Sequence, residues 1–582
     1  MDRRRFVQSA ALLLPAARLR ALAVPAEAAD APSPSIGKLA ARYQLTLDRV
    51  LKGDAPAYTP DFLLADVKPQ PVRRFTEYSG DLSGRYIGAL STAARVYGQT
   101  FTVLDPLVVR VIALQKRDGY FGVGFHYDHP TDDDLALLWG NGRLLVGLLE
   151  YYALKPNPDV LAACRRLGDW LVRIGPLMLS AEIRAAFGAQ HFASSYICWM
   201  QQTEGLANLY AVTRDERYRR LAEQVAAVIE LRPGDHVHGG LTSLRGIMNL
   251  YAATADARLL AQCQKAWEQV AAGKDALITG GVPEGWSPNN HRTEGCAEAD
   301  WVRLNLSLWQ ATGKHIYLEA AERATFNEFA FNQFATGDFG HRLYTETGLP
   351  QQGAARAWWC CTLHGLRAFP DIHQSVFRST KDGLWFDLPI DARVDAGPLK
   401  AVSESSLGED GSVRITITGA GGGRNSVFIR KPQWASAPEI RVAGDVRRYE
   451  AGDGYVGLER AWAAGDVIQV KYHMELQRQP QGGERAAYFY GPWLLGASAA
   501  DNPATFNELT TENRIVRGSE KPVKADLQRT GPFRVPLAAT SAACIPAEFP
   551  DQPQAIEFRA IAEQTGRPTT GWELRFLEGE KV

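Results

Sequence analysis

As far as about Phe377, apolar positions recur at the three- and four-residue spacing of helices that bury one face. The stretch "GLANLYAVTRDERYRRLAEQVAAVI" shows the unit. Leu206, Leu209 and Tyr210 fall at i, i+3 and i+4, and Leu221, Val225 and Val228 continue the pattern beyond the short polar turn "VTRDER". Two apolar-periodic runs joined by such a turn predict a helical hairpin. The same order of small start, aromatic, turn and second run returns around Tyr97, Tyr152, Tyr251 and Trp309. These aromatics lie 41 to 58 residues apart, so one or two helices pack between successive copies. Hairpins repeated in this way stack into an open solenoid or close into a ring. The aromatics themselves read as packing, and their value is architectural.

Beyond Phe377 the period changes. "GSVRITITG" alternates Val413, Ile415 and Ile417 with polar neighbours, the pattern of a half-buried strand. "SVFIRKP", "DVIQVKYHM" and "AAYFYGPWLLG" read the same way, separated by the turn signals "GAGGG", "KPQ", "GDG" and "GPW". The expected organisation is a helical region over 35–377, a β-sandwich over 378–500 and a second, smaller β region over 501–582. The N-terminus, residues 1–31, departs from all of these. Its arginine run, Phe6, apolar Ala/Leu stretch and small residues near Ala26 have the shape of an export signal. The "RRRF" core resembles a twin-arginine signal, which delivers proteins already folded to the periplasm or beyond. Pro15, Arg18 and Arg20 break the apolar stretch too early for a permanent anchor.

Composition narrows the function classes. The chain is 46% hydrophobic and 22% charged, ordinary for a globular protein, with a net charge of −1. No basic surplus exists to hold nucleic acid or an acidic membrane. Seven cysteines form a low and odd number, which argues against a disulfide framework. Two of them, Cys360 and Cys361 in "RAWWCCTLHG", are adjacent and poorly placed to bridge each other. Upstream, "NNHRTEGCAEADW" carries Glu294, Cys296, Glu298 and Asp300. Glu294, Cys296, Cys360 and Cys361 together offer three sulfurs and a carboxylate oxygen, a donor set that favours zinc. A metal would also protect thiols in an exported protein. The competing reading is buried cysteines that behave as small hydrophobes.

The runs "ALITGGVPEG", "RTEGCAEADWVRLNLSLWQATGKHIYLEAAERATFNEFAFNQ" and "WWCCTLHG", in that order, resemble the core of the glycoside hydrolase family 127 and 146 group, the β-L-arabinofuranosidases and their relatives. "GYVGLERAWAAGDVIQVKY" and "YGPWLLGA" resemble that group's sandwich segments. The resemblance implies an (α/α)6 barrel followed by β-sandwich domains, and an exo-acting, retaining glycosidase with a glycan substrate. It also implies zinc on Glu294, Cys296, Cys360 and Cys361, with Cys360 as nucleophile and Glu284 of "GGVPEG" as general acid and base. One of His236 and His238 matches a histidine near the sugar hydroxyls, and Tyr344 resembles a tyrosine near the nucleophile. His126 and His129 read as a rim loop.

One position departs from the pattern. Many relatives have Gly-His where this chain has Gly142-Arg143. An arginine facing the pocket would suit a carboxylate, so a uronic acid is the expected alternative sugar. Two further alternatives stand beside the zinc glycosidase. One is a carbohydrate-binding scaffold with a structural zinc. The other is a carboxylate-pair enzyme using Glu284 with Glu298 or Asp300. Sandwich domains of such proteins often pair, which leaves a homodimer open.

Overall fold

The computed structural model describes residues 38–52, 58–68, 73–188, 195–273, 275–287, 292–344, 348–349, 356–452, 454–498, 501–502, 513–516, 521–522, 534–543, 553–563 and 572–579. The expected export signal lies outside the described residues.

Twelve helices of nine residues or more occupy the first part of the described chain: α1 (Leu39–Lys52), α2 (Asp81–Tyr97), α3 (Leu104–Ile112), α4 (Asp132–Leu154), α5 (Pro158–Met178), α6 (Gln202–Thr213), α7 (Glu216–Ala226), α8 (Val237–Thr254), α9 (Ala257–Ala271), α10 (Gly295–Thr312), α11 (His315–Ala324) and α12 (Trp359–Gln374). The even-numbered helices pack in sequence, and α12 returns to α2, which closes the ring. Each also packs against one odd-numbered helix outside it, α1 against α12 and the others against their chain neighbours. The result is an (α/α)6 barrel, the closed form of the two that the repeats allow.

The two rings differ as their sequences require. Helix α7 buries one stripe, Tyr218, Leu221, Ala222, Val225 and Ala226, and turns charge outward. Helix α4 is buried from Asp134 to Leu149 on every side. The aromatics of the repeat, Tyr97, Tyr152, Tyr210, Tyr251 and Trp309, all fall in the last turns of inner helices. Four of the five turns that follow share one device; the helix of Tyr152 ends instead on extended Lys155. A residue with positive φ ends the helix: Gly98 (66°), Arg214 (56°), Ala255 (59°) or Gly313 (69°). In two of the turns an aspartate, Asp215 or Asp256, then caps the next helix.

Helices α2 and α4 cross at van der Waals contact through glycines. A Cβ on Gly84 would lie 2.5 Å from Leu144 Cα, and one on Gly147 would lie 2.1 Å from the Gly84 carbonyl oxygen. This approach brings Arg85 on α2 and Arg143 on α4 to the barrel axis.

A small antiparallel sheet, β1 (Arg292–Glu294), β2 (Gly340–Leu343) and β3 (Arg356–Ala357), crosses one mouth of the barrel in the order β1-β2-β3. The β-sandwich follows, with β4 (Phe377–Thr380), β5 (Gly383–Phe386), β6 (Ala392–Val394), β7 (Leu399–Ser406), β8 (Ser412–Ala420), β9 (Arg424–Arg430), β10 (Glu439–Val442), β11 (Arg447–Ala451), β12 (Tyr455–Ala461) and β13 (Val467–Lys471). Its two sheets have the orders β11-β12-β9-β5-β4 and β10-β13-β8-β7-β6. On β8, Val413, Ile415 and Ile417 face inward, as their alternation predicts.

The expected division at residue 500 needs correction. Trp493–Ser498 pairs with Pro553–Ala560, so the strands from Leu476 to Ser498 belong to the last sheet. Local alternation cannot reveal this, because Leu495 and its partner Ala560, far apart in sequence, leave no mark on the pattern of either strand.

The barrel is joined to both β units by buried polar contacts. Arg430 of the sandwich reaches Glu322 of α11 through two hydrogen bonds of 3.0 Å, and Trp434 adds a third at 2.9 Å. Asn327 accepts from the Leu494 amide and donates to the Pro492 carbonyl. Replacing Glu322 by alanine strands the buried Arg430 guanidinium. The variant is expected to lose about 3–5 kcal/mol, read as an earlier unfolding midpoint in denaturant. Glu322→Gln, which keeps an acceptor, should lose clearly less.

Candidate active site

The two cysteine segments open neighbouring inner helices. Glu294 is the N-cap of α10 and Cys296 lies in its first turn. Trp358 is the N-cap of α12 and is followed by Trp359, Cys360 and Cys361. Helix packing therefore carries residues 64 positions apart in sequence to one point. One donor atom from each of Glu294, Cys296, Cys360 and Cys361 lies within 4.8 Å of all the others. The Cys296 and Cys361 sulfurs are 3.7 Å apart, and Cys361 Sγ is 3.8 Å from Glu294 Oε1. A tetrahedral zinc with sulfur bonds near 2.3 Å would separate its sulfurs by about 3.8 Å. The donor set fits zinc in both chemistry and spacing.

Charge inside this cluster is uneven. Burial pushes the Cys296 and Cys361 thiols well up. Cys360 goes the other way, held well below the ordinary thiol range by hydrogen bonding from Cys296 and Cys361, with Arg85 adding to it. Of the three sulfurs it alone belongs to a partly exposed residue. The remaining described cysteines, Cys164, Cys198 and Cys263, are buried with raised thiol pKa, so for them the small-hydrophobe reading holds.

Arg85 brings a cation against the sulfurs. Its Nη1 lies 3.5 Å from Cys296 Sγ and 3.1 Å from His364 Nδ1, and its Nη2 lies 2.9 Å from His238 Nε2. Asp81 accepts from Arg85 Nε at 2.7 Å and from Trp139 Nε1 at 3.0 Å. A guanidinium only donates, so both imidazoles must turn a lone pair to it. His238 then carries its proton on Nδ1 and His364 on Nε2, each donating to Asp300, at 2.8 and 2.9 Å. Burial pushes both histidines below their ordinary range, which agrees with neutral rings. Asp300 also accepts from Arg245 and Thr242. Burial alone would raise its pKa, but His364, Arg245 and His238 hold it well below the carboxylate range. The His238–Asp300–His364 group thus spends its ring nitrogens on Arg85 and Asp300, and it works as a mount for Arg85.

The histidines expected near the sugar therefore separate. His238 stands behind the sulfurs. His236, the N-cap of α8, stands beside them, with Nε2 2.8 Å from Glu294 Oε2 and its ring against Trp139. Burial pushes Glu294 up, but His236 and, beyond it, His238 and His341 hold it well below its ordinary range.

Glu284 joins His236 and Glu294 in a second group of donor atoms within 4.8 Å. Its backbone is fixed on both sides, accepting from the Val237 amide and donating to the Arg292 carbonyl. Its carboxylate accepts from Arg292 and lies 3.5 Å from His341 Nε2. The carboxylate next to Glu284 is thus Glu294. The expected pairing with Glu298 or Asp300 is corrected: Asp300 is committed to the arginine mount, and Glu298 faces inward. Glu298 accepts from the Val282 amide at 3.1 Å, and burial, with the Glu328 carboxylate adding to it, pushes its pKa well up.

Tyr344 donates its hydroxyl to Glu328, which also accepts from Thr293, so it supports the floor below the Glu284 loop. Glu328 lies in a π-helical turn, Thr325–Phe329, which turns this carboxylate inward. Arg143 is fully buried; its Nη1 donates to Glu204 at 2.8 Å and to Thr242 at 3.3 Å. Its carboxylate partner is internal, which overturns the expectation that it reads a uronic acid. His126 sits on Asp134 of the α4 capping box, away from the sulfurs.

Sequence reasoning missed Arg85, His341 and His364. His364 could have been found, because it lies one helical turn after Cys360 on the same face. Arg85 left no signal beyond the small residues that precede it.

A family model for the catalytic domain of GH127 β-L-arabinofuranosidases matches residues 64–374, more than half of the chain, and the model of that family's middle domain matches residues 386–474. Among solved structures, the chain is similar to one described as a GH127 β-arabinofuranosidase, with a TM-score of 0.70 and 17% identity over 94% of this chain and 96% of that one. It is also similar to a GH127 β-L-arabinofuranosidase from Geobacillus stearothermophilus T6, with a TM-score of 0.67 and 17% identity over 92% and 99% of the two chains. At that identity the likeness concerns the fold. No curated protein matches the sequence.

The uneven charge of the cluster can be checked directly. In reduced protein freed of metal by chelation, iodoacetamide near pH 6 is expected to label Cys360 ahead of all other cysteines, because only a depressed pKa leaves a thiolate there. Equal labelling of Cys360 and Cys361 would refute the assignment.

Proposed function

Because the chain belongs to glycoside hydrolase family 127, we propose that it is an exo-acting, retaining β-L-arabinofuranosidase with Cys360 as nucleophile and Glu284 as general acid and base. The observation that carries the reading is that Cys360, the partly exposed cysteine of the cluster, and Glu284, whose backbone is held on both sides, each place a donor atom within 4.8 Å of Glu294. Zinc would be held by Glu294, Cys296, Cys360 and Cys361, and when bound it would keep the sulfurs deprotonated at neutral pH.

The residues of the chain then divide the work. Cys360 Sγ attacks the anomeric carbon; the C–S bond forms as the glycosidic C–O bond breaks. Glu284 donates its proton to the departing oxygen. A water molecule next gives its proton to Glu284 and its oxygen to the anomeric carbon, and the sulfur leaves as thiolate. Two displacements at one carbon retain its configuration. His236 beside Glu294 is placed to meet a sugar hydroxyl. Arg292 must release Glu284 for the first step, since an arginine against a carboxylate favours the form without a proton. Arg292 is on the short sheet at the mouth and is half-exposed, so substrate entry can displace it.

Four measurements test this. Protein purified without chelator is expected to hold about one zinc per chain. It should release L-arabinose from a β-L-arabinofuranoside with retention, followed by NMR of the first product anomer; an inverted product would sink the mechanism. Glu284→Gln should lower kcat by about 10²–10⁴-fold, with partial recovery on a substrate whose leaving group needs no proton. Cys360→Ser that keeps zinc but loses turnover supports the nucleophile, whereas unchanged turnover removes it.

A further inference from the structure

An acid that protonates a leaving group must face that group, so the rest of the substrate lies on the Glu284 side of the site. On that side the structure places an aromatic surface with no part in the chemistry. His341, 3.5 Å from Glu284, has its ring 5.9 Å from that of Trp358. Trp358 stacks on Trp359 at 5.5 Å and 19°, and Phe75 stands edge-on to Trp358 at 5.7 Å. Phe75 is 43% exposed, an unusual place for a large apolar ring, and it adopts a φ of 62°. That conformation is disfavoured for a phenylalanine and calls for a compensating role. Register explains the alignment. On the short sheet Glu294 pairs with His341, and His341 pairs with Arg356. Arg356 is exposed and lies over the Trp358 ring at 5.6 Å. A line therefore runs from metal-ligand candidate and proposed acid, through His341, to a half-buried tryptophan flanked by an exposed phenylalanine and an exposed arginine.

We propose that Trp358 and Phe75 form the subsite for the leaving-group sugar, with Arg356 and His341 as donors to its hydroxyls. A sugar ring presents C–H bonds on one face and hydroxyls on its rim, which suits a flat aromatic bordered by N–H groups. His341 links this surface to the acid, 3.5 Å from Glu284 and with its ring 5.9 Å from that of Trp358, and Trp358 is two residues from Cys360. The enzyme accordingly prefers a glycan aglycone to a small alcohol. This rests on the reading of Glu284 and Cys360 above.

The experiment compares kcat/KM on a β-L-arabinofuranosyl disaccharide and on methyl β-L-arabinofuranoside for the wild type, Phe75→Ala and Trp358→Ala. Because Trp358 caps the nucleophile helix, Trp358→Phe is included and zinc content is measured for each protein. The wild type should favour the disaccharide. In each alanine variant the loss on the disaccharide should exceed the loss on the methyl glycoside by about tenfold, mostly in KM, with Trp358→Phe between. Equal losses on both substrates would overturn the subsite while leaving the glycosidase reading in place. If the wild type hydrolyses neither substrate, that reading falls and the subsite with it.

Discussion

Three cysteine sulfurs and a carboxylate occupy one buried space whose donor atoms all lie within 4.8 Å. Like charges at that distance in a low dielectric cannot coexist without a cation or protons. Much of the surrounding structure answers that constraint. Two helix N-termini, those of α10 and α12, point their positive ends at the cluster. Arg85 supplies a full charge, and two neutral histidines and Asp81 prevent it from turning elsewhere. A bound zinc would complete the compensation, and its donor set is already gathered.

The cost of holding an arginine against sulfur is passed down the barrel axis. Asp300 orients the two histidines and is itself neutralised by Arg245. Arg245 shares Glu204 with Arg143 and Arg367. Burial pushes the Glu204 carboxyl up, but Arg245, Arg143 and Arg367 hold it far below its usual range. Removing any member would leave a buried charge unmatched. This explains why inner helices that bury every face still carry arginine and aspartate, and why α2 and α4 need glycines to bring their arginines close enough.

The rim follows a different logic. There the backbone holds Glu284, the proposed acid, through its amide and carbonyl, and among the described residues its side chain accepts from Arg292 and lies 3.5 Å from His341. The carboxylate can then exchange an internal partner for a substrate atom. Behind it, Glu298, Glu328 and Tyr344 form a second buried layer, and Glu328 reaches it from a π-helical turn.

The sequence by itself determined the helical hairpins, through apolar spacing and the turns between them, and the strands after Phe377, through alternation. It also determined the donor types, since three sulfurs and a glutamate in two segments define the chemistry wherever they meet. Only the tertiary structure decided that the hairpins close into a ring, because closure depends on α12 returning to α2, far from it in sequence. Only the structure could separate His236 from His238. Two residues apart, they look alike in the chain, yet one lies beside Glu294 and the other behind it on Arg85. It likewise turned Arg143 from an expected reader of substrate into the partner of Glu204, and moved the last sheet boundary from 500 back to Leu476. The physical reason is common to all of these. Local patterns report what a residue is and whether it is buried, whereas a charge finds its partner, and a strand its neighbour, across distances that local patterns do not encode.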